Sequence, residues 1–378
     1  MKIITGVTAP LGFKANGVYC GIKKSGKLDL ALVYSDVLAV ACGMFTTNKI
    51  QAAPIKVTEA HLKDNLAQAI IVNSGNANCS TGKQGLISAL HTTHRLAQIL
   101  GVDKEDVLVA STGIIGKKLP LKNIEKALPV LVNGLSKDGG RRAAFAIMTT
   151  DTKPKQEAIR FQISHKDVTI GAMAKGAGMV YPKMATMLAF ITTDVKITPI
   201  LLKQALRIAV DKSFNCISVD GCTSTNDMVL ILANGLAKNK LISSKDRNFF
   251  LFTERLSQLC LNLAKKIVWD AEGATKFVKI VVCGAKTIED AKKVGFAIAN
   301  STLVKTAFFS GGKNWGRIAA AIGQAGIDLK EDKLKINFTP FKRKEITITV
   351  NLNQGKSEAT VYTSDLSYEY VRINARYN

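Results

Sequence analysis

Apolar and polar positions recur with two different periods along the chain, which predicts both strands and helices. Short unbroken apolar runs indicate buried strands, whereas apolar residues three or four apart indicate helices. The buried strands are predicted at residues 67–72, 107–110, 187–191 and 279–283, and the helices at 84–100, 200–210 and 246–268. Residues 346–352 alternate strictly, which predicts a half-exposed strand. This mixed order predicts an α+β fold, a layered α/β/α arrangement without repeats.

Two of the predicted helices carry additional local signals. In the first, Leu86, Leu90, Leu96 and Leu100 recur near helical spacing, as in an amphipathic helix. Thr198 followed by proline is a typical helix start. The second helix is therefore expected to begin at this dipeptide.

Length and composition indicate a folded protein with a large core. The chain has 378 residues, enough for one large domain or two, and 47% of them are apolar against 21% charged. Its 52 basic and 29 acidic residues give a formal charge of +23, which raises the question of nucleic-acid binding. However, the basic residues are scattered and only 6% of residues are aromatic. A solvated basic surface is the favoured interpretation, and no nucleic-acid partner is expected.

The cysteine and histidine positions argue against a metal site. Seven cysteines without a Cys-x-x-Cys pair fit neither a disulfide framework nor a zinc site, and they favour a reducing compartment. His91 and His94 share one helix face, but no third ligand is near them in sequence, so a packing or solvated role is expected. No run reaches the ~20 apolar residues that span a bilayer, and no signal-peptide core opens the chain. The sequence predicts a cytoplasmic protein without a membrane segment.

The most distinctive segment runs from Lys175 to Asp194. A glycine-rich loop leads into Ala185 and Thr186, and an apolar strand follows at once. This order is typical of precursors that cleave themselves before a hydroxyl residue. The new N-terminal residue then supplies the nucleophilic hydroxyl, and its α-amine, which titrates near ~8, supplies the base. The alternative is that Thr186 is an ordinary strand residue, but its neighbours favour cleavage between Ala185 and Thr186.

Further segments rich in Asn, Gly, Ser and Thr surround this one in a definite order. They are Gly43–Asn48, Asn73–Asn78, Ala110–Gly116, Ala146–Thr152, Ser218–Asp227 and Asn314–Arg317. Each is weak evidence alone, but the ordered set closely resembles the ornithine acetyltransferase family, whose members are glutamate N-acetyltransferases of arginine biosynthesis. The resemblance extends from about Val7 to Asn374.

The resemblance implies a fold, a processing step and a reaction. The fold is the α/β/α sandwich shared with self-processing aminopeptidases. Cleavage would give an α chain, residues 1–185, and a β chain, residues 186–378, with two copies of each in a heterotetramer. The reaction is acetyl transfer from N-acetylornithine to glutamate through an acetyl group on Thr186, without a cofactor. Acetyl-CoA remains open as a second donor, and a self-processing aminopeptidase or amidase is the alternative function.

The same resemblance assigns the oxyanion hole to Thr112 and Gly113, which would act through a hydroxyl and a backbone N–H. A tetrahedral acyl intermediate needs such donors. Taken alone, the Ser-Thr-Gly sequence at this point is more typical of a turn at a strand end; the ordered set of motifs favours the oxyanion hole.

The resemblance also implies a set of residues that bind substrate together with the nucleophile. They are Thr149, Lys175, Thr186, Glu272 and Asn374. Lys175 would hold a substrate carboxylate or lower the pKa of the new α-amine, and Thr150 replaces Thr149 if the register differs by one. Glu272 would face the amine end of the substrate, and Asn374 would reach back into the site.

Three positions depart from the family pattern. Cys222 stands where Asp is usual, and Gly312-Lys313 replaces the acidic residue that usually precedes Asn-Trp-Gly-Arg. The family often has Thr or Ser five residues after the asparagine matched by Asn374, whereas this chain ends at Asn378, so no terminal ligand is assigned. These differences concern the fine substrate contacts and not the reaction class.

Overall fold

The computed structural model describes residues 6–181, 187–312 and 314–376. The predicted cleavage site, Ala185 and Thr186, lies outside the described residues, as does Lys313. The strands are β1 (Phe13–Val18), β2 (Leu30–Phe45), β3 (Leu66–Asn76), β4 (Val107–Ile114), β5 (Lys155–Ile163), β6 (Lys166–Lys175), β7 (Leu188–Thr193), β8 (Met228–Ala233), β9 (Phe277–Ala285), β10 (Lys335–Phe338), β11 (Glu345–Asn351) and β12 (Ser357–Ser364). The helices are α1 (Ala53–His61), α2 (Gly82–Leu100), α3 (Leu121–Asn133), α4 (Gly140–Ala146), α5 (Pro199–Asp211), α6 (Arg247–Trp269), α7 (Ile288–Asn300), α8 (Thr302–Ser310), α9 (Trp315–Gly323) and α10 (Tyr368–Ala375).

The strands and helices predicted from periodicity are confirmed. The apolar runs form β3, β4, β7 and β9, the alternating segment forms β11, and the helical patterns form α2, α5 and α6. Thr198 is the residue that caps α5, and Pro199 occupies its first turn. Proline is tolerated there because its missing N–H would have no partner inside the helix.

Only part of the leucine pattern of α2 lies on its buried face. Leu86 and Leu90 are 38% and 44% exposed. The inward face instead carries small residues such as Gly85 and Ala89, together with Leu96. Ala89 and Leu96 share a core cluster with residues of α3. Small side chains let the helix approach its neighbours closely, so spacing alone did not identify the buried face.

Two compact units are formed by the described residues. Within the described residues, the first draws on 6–176, 187–214 and 223–263, and the second on 177–181, 215–222, 264–312 and 314–376. Each unit therefore combines segments that are distant in sequence. No helix in the described part of the chain has the length and apolar character needed to cross a membrane.

The first unit is built on an eight-stranded mixed sheet. The strand order is β4-β3-β2-β8-β7-β6-β5, with β1 paired to β2. Alternate strand residues face two separate cores: Val72 lies in a cluster with residues of α4, and its neighbour Ile71 lies in a cluster with α2 and α3. Helices thus cover both faces of this sheet, which confirms the predicted α/β/α layers.

The second unit is built on a four-stranded sheet with the order β10-β11-β9-β12. Strands β9 and β11 are parallel, and the other two pairs are antiparallel. Val278, Ile280 and Val282 of β9 share a core with α7, α8 and α9. Because these three residues alternate along the strand, they place the core on one face of the sheet.

Candidate active site

The predicted oxyanion residues, Thr112 and Gly113, lie near the end of β4, which pairs in parallel with β3. Ser74 pairs with Thr112, and Gly75 pairs with Gly113. Gly113 has φ of +131°, and a Cβ at this position would lie 2.3 Å from the carbonyl carbon of Gly75. Only glycine accepts both this backbone conformation and this approach. The glycine of the Ser-Thr-Gly sequence is therefore required by the contact with β3.

Buried asparagine side chains hold these strand ends. Asn73 Oδ1 accepts a hydrogen bond from the Ser111 hydroxyl at 2.5 Å, and Asn73 Nδ2 donates to the carbonyl of Asn76 at 2.8 Å. Asn226, from a distant segment, donates to the carbonyl of Ser111 at 2.9 Å. Buried backbone groups need such partners. The amides therefore stabilise the strand end that carries Thr112.

Lys175 joins two of the predicted site threonines. This lysine is 2% exposed. Its Nζ donates to Thr149 Oγ1 at 2.7 Å and to Thr112 Oγ1 at 3.4 Å. An ammonium group only donates, so both hydroxyls accept from it. The hydrogen of the Thr112 hydroxyl is therefore available to another acceptor, as an oxyanion donor requires. Thr149, and not Thr150, has the hydrogen bond to the lysine.

Asp151 is the buried carboxylate that organises this part of the site. Its Oδ1 accepts from Lys155 Nζ at 2.6 Å and from the N–H of Gly176 at 2.8 Å. Its Oδ2 accepts from the N–H of Thr149 at 3.0 Å and lies 3.9 Å from Lys175 Nζ. We call Lys155, Asp151 and Lys175 the lysine–aspartate cluster.

The lysine–aspartate cluster is buried and positively charged. Burial alone would raise the pKa of Asp151, but Lys175, Lys155 and the N–H of Gly176 outweigh it and hold the pKa well below its usual range. The carboxylate therefore stays ionised. Two ammonium groups, those of Lys155 and Lys175, face this one carboxylate.

Asp227 holds the residue that follows the predicted nucleophile. This aspartate is 1% exposed and ends the Ser218–Asp227 segment, immediately before β8. Its Oδ1 accepts from the N–H of Met187 at 2.8 Å, and the N–H of Met228 donates to the Met187 carbonyl at 3.3 Å. Met187, the residue before β7, is thus anchored through both its N–H and its carbonyl group.

In the second unit, Glu272 and Asn374 are in direct contact. Asn374 Nδ2 donates to Glu272 Oε2 at 2.8 Å. The N–H of Glu272 donates to the carbonyl of Ala177 at 2.9 Å, and a Cβ at Gly178 would lie 2.3 Å from Glu272 Oε2. The second glycine of the loop therefore makes room for this carboxylate.

Asp220 binds the same loop immediately after its second glycine, Gly178. Its carboxylate accepts the N–H of Met179 at 2.6 Å and the N–H of Val180 at 2.9 Å. The hydroxyl of Tyr370 also donates to it, at 3.1 Å. Burial and the neighbouring Asp220 raise the pKa of Tyr370, so this hydroxyl stays protonated. The segment that leads towards the predicted cleavage site is thereby tied to residues far away in sequence.

Of the remaining candidates, the two histidines have contacts outside these groups, whereas the N–H of Cys222 donates to Asp220 at 3.3 Å. His91 Nε2 pairs with the carboxylate of Glu125, and His94 hydrogen-bonds to Gln98 at 3.0 Å. Cys222 is exposed, and partial burial together with Asp220 raises the pKa of its thiol. Among the described residues, no group of three or more His, Cys, Asp or Glu side chains is arranged to hold a metal ion.

A family model gives the decisive comparison, because the ArgJ family model matches residues 14–378. The chain belongs to the ArgJ family. It is 45% identical to the arginine biosynthesis bifunctional protein ArgJ of Geobacter sulfurreducens, over 97% of this chain and 98% of the relative. It is 44% identical to the glutamate N-acetyltransferase of Methanocaldococcus jannaschii, over the full length of both.

A solved structure with a related sequence is the ornithine acetyltransferase of Mycobacterium tuberculosis in complex with ornithine. It is 42% identical, has a TM-score of 0.45, and covers 47% of this chain and 95% of that chain. The predicted resemblance to the ornithine acetyltransferase family is confirmed by the ArgJ family match and by these relatives.

Several residues that shape this ArgJ-family site were not predicted from the sequence. They are Asp151, Lys155, Asp220 and Asp227. Asp151, Asp220 and Asp227 lie inside segments that had been singled out, and an acidic residue amid small polar residues was a usable signal. Lys155 starts an ordinary strand pattern, and nothing in that pattern marks its ion pair with Asp151, four residues earlier.

Proposed function

We propose that this protein transfers an acetyl group from N-acetylornithine to glutamate through an acetyl-Thr186 intermediate. The observation that carries the proposal is the meeting of Thr112, Thr149 and Lys175 beside Gly113, since it combines oxyanion donors with a buried cation. Members of the same family are named glutamate N-acetyltransferase and arginine biosynthesis bifunctional protein, which agrees with it.

In the first half-reaction, Thr186 Oγ bonds to the acetyl carbonyl carbon of N-acetylornithine. The bond from that carbon to the α-nitrogen breaks, and the hydroxyl proton passes through the α-amine of Thr186 to the leaving nitrogen. The carbonyl oxygen carries negative charge on the way. The Thr112 hydroxyl and the Gly113 N–H would stabilise this charge.

In the second half-reaction, glutamate takes the place of ornithine. Its neutral α-amine attacks the acetyl ester, the bond from carbon to Thr186 Oγ breaks, and the oxygen recovers a proton. Both substrates are α-amino acids, so one site serves both steps. The cation of Lys175 suits the α-carboxylate that they share. The proposed chemistry needs no metal and no cofactor.

The nucleophile would be produced by self-cleavage. Thr186 Oγ attacks the carbonyl of Ala185, an N-to-O acyl shift gives an ester, and water hydrolyses it. Asp220 and Asp227 support this proposal, because they anchor Val180 and Met187 on the two sides of the segment. The products are the α chain, residues 1–185, and the β chain, residues 186–378. Family resemblance extends the proposal to a cytoplasmic heterotetramer of two α and two β chains.

The first test follows the acetyl group. Incubation with N-acetylornithine alone is expected to add one acetyl mass to the β chain, and glutamate should then discharge it as N-acetylglutamate. Because ornithine leaves before glutamate reacts, initial-rate plots should give parallel lines. Intersecting lines together with an unmodified β chain would show direct transfer in a ternary complex. Discharge by water alone, without glutamate, would identify an amidase instead.

Acetyl-CoA belongs in the same experiment as a second donor. If the protein also carries the additional activity suggested by the name bifunctional, acetyl-CoA should acetylate the β chain without N-acetylornithine. The M. jannaschii relative is named for glutamate acetylation alone. Acetyl-CoA that leaves the β chain unmodified would restrict this protein to transfer between amino acids.

A second prediction concerns Thr112. Thr112→Ala is expected to lower the rate of acetyl loading by about 10²–10³-fold, because one oxyanion donor is lost. The KM for N-acetylornithine should change much less, since the donor acts mainly in the transition state. Thr92→Ala is a matched control, because Thr92 is also buried but donates to Ser88 within α2. Normal turnover in Thr112→Ala would remove Thr112 from the oxyanion hole.

A further inference from the structure

Lys23 lies in a tightly held loop between β1 and β2. The buried carboxylate of Asp29 accepts three backbone N–H groups of this loop, from Cys20 at 2.6 Å, Ile22 at 2.7 Å and Lys23 at 2.9 Å. The Lys23 Nζ donates to the carbonyl of Leu28 at 2.8 Å. The backbone is therefore fixed, while the long side chain is half-buried and carries two further N–H donors.

The Lys23 side chain packs against Gly75 of β3, the residue that pairs with Gly113. A Cβ at Gly75 would lie 3.0 Å from Lys23 Cγ, and a Cβ at Gly113 would lie 2.3 Å from the carbonyl carbon of Gly75. Gly75 thus separates the stem of Lys23 from Gly113 by a single backbone layer. Because the proposed oxyanion hole includes Gly113, the stem of Lys23 lies one backbone layer away from that hole.

Lys23 also belongs to the electrostatic surroundings of the lysine–aspartate cluster. The charged groups that act on its ammonium are Asp29 and Lys27 in its own loop, and Lys175 and Asp151 from the neighbouring elements. Gly75, against which the stem of Lys23 packs, carries no side-chain charge. The first unit therefore places a third cation, on a flexible stem, near a cluster that already has an excess of positive charge.

We propose that Lys23 is a second substrate-binding cation, whose ammonium group binds the side-chain carboxylate of glutamate. Lys175 then serves the α-carboxylate that both substrates share. The inference rests on the proposed function, because it takes the two substrates from it. Replacing ornithine by glutamate changes the side chain from a cation to an anion, so the group that meets it must tolerate both.

A flexible lysine with an easily lost proton meets this requirement. Burial lowers the pKa of Lys23 to about 8, Lys175 and Lys27 act in the same sense, and Asp29 and Asp151 oppose them. Loss of the proton at pH 7 therefore costs only about a factor of ten. The ornithine side chain can be accommodated by discharging or moving this amine. The glutamate carboxylate instead favours the charged form and holds it in place.

The test compares equilibrium binding of glutamate and glutamine by calorimetry. Glutamine has nearly the same shape but an uncharged side chain. The wild-type protein is expected to prefer glutamate by about 10–100-fold, the usual strength of a charge-assisted hydrogen bond. Lys23→Met should abolish the preference by weakening glutamate binding alone. Lys24→Met, at the exposed neighbouring residue, should keep it.

The pH dependence sharpens the test. In the wild type, the preference for glutamate should fall as the pH rises from 7 to 9, because the Lys23 amine loses its proton. Lys23→Arg should keep the preference across this range, since arginine stays charged, and should bind N-acetylornithine more weakly than the wild type.

Three results would overturn the role of Lys23. They are a wild type that binds both ligands equally, a Lys23→Met protein that still prefers glutamate, and equal weakening of both ligands in that variant. The measurement uses binding and not acetyl transfer. An unmodified β chain would thus refute the acetyl-Thr186 mechanism while the glutamate preference could still be measured.

Discussion

Thr186→Ala is expected to leave the protein as one chain without acetyltransferase activity. Without the hydroxyl, no N-to-O acyl shift can begin, and no acetyl group can be carried between the two substrates. Intact mass measurement should give a single species of full length, whereas the wild type should give two fragments that meet between residues 185 and 186. The loss of turnover should reach the detection limit, because the nucleophile itself is removed.

Two controls separate the chemistry from the fold. Thr186→Ser retains a hydroxyl and should still cleave. Thr192 lies in the apolar strand that follows the nucleophile, and its buried hydroxyl donates to the carbonyl of Val7. Thr192→Ala removes this hydroxyl and should leave cleavage intact. A wild-type protein that stays in one piece after long incubation and is nevertheless active would refute the self-cleavage mechanism. Cleaved Thr186→Ala protein would point to a foreign protease.

Local pattern was enough to predict most of the secondary structure. The apolar runs that became β3, β4 and β9 are short and rich in Val and Ile, which favours strands over helices. The α2 helix was predicted, but its inward face was not. That face carries Gly85, Ser88 and Ala89, which no hydrophobic pattern marks as buried. Close packing selected small residues there, and packing is a property of the neighbours.

The candidate site was likewise predicted only in part. Thr112, Thr149 and Lys175 were predicted from ordered motifs, and the structure brings these three together. The supporting charges were missed. Asp29 acts through backbone N–H groups of a loop, and Lys155 acts on Asp151 from the start of a strand. Both contacts are local, since Asp29 accepts from N–H groups six to nine residues earlier and Lys155 lies four residues after Asp151. They depend on backbone turns that the residue pattern does not show.

The missing element was therefore the electrostatic balance of the site. A buried lysine such as Lys175 needs a counter-charge or hydrogen-bonding partners, so its prediction as a substrate ligand implied an unseen acidic partner. The Thr-Thr-Asp segment contained that partner, Asp151, although only Thr149 was singled out. A charge requirement applied to each predicted buried cation would have found it.

Asp151→Asn is expected to destabilise the protein by about 3–5 kcal/mol, because it removes one partner of a buried ion pair. The side chains of Lys155 and Lys175 are 2% and 3% exposed, so neither ammonium group can turn to water for compensation. Denaturant unfolding measures the loss. Transfer activity should fall as well, since Thr149 and Gly176 lose the carboxylate that accepts their N–H groups.

The matched control for this effect is Asp167→Asn, which removes an exposed ion pair with Arg160 whose side chains are 48% and 68% exposed. That change should cost about 1 kcal/mol or less, because solvent screens an exposed pair.

The pH dependence of the Asp151 contribution has a definite sign. Asp151 has a depressed pKa in the folded state, so its ionised form stabilises the protein above the ordinary carboxyl pKa of about 3.9, and this stabilisation is lost as the pH falls further. The difference in stability between wild type and Asp151→Asn should therefore be constant near neutral pH and shrink in acid. Equal stability of the two asparagine variants at neutral pH would contradict the structural role of the lysine–aspartate cluster.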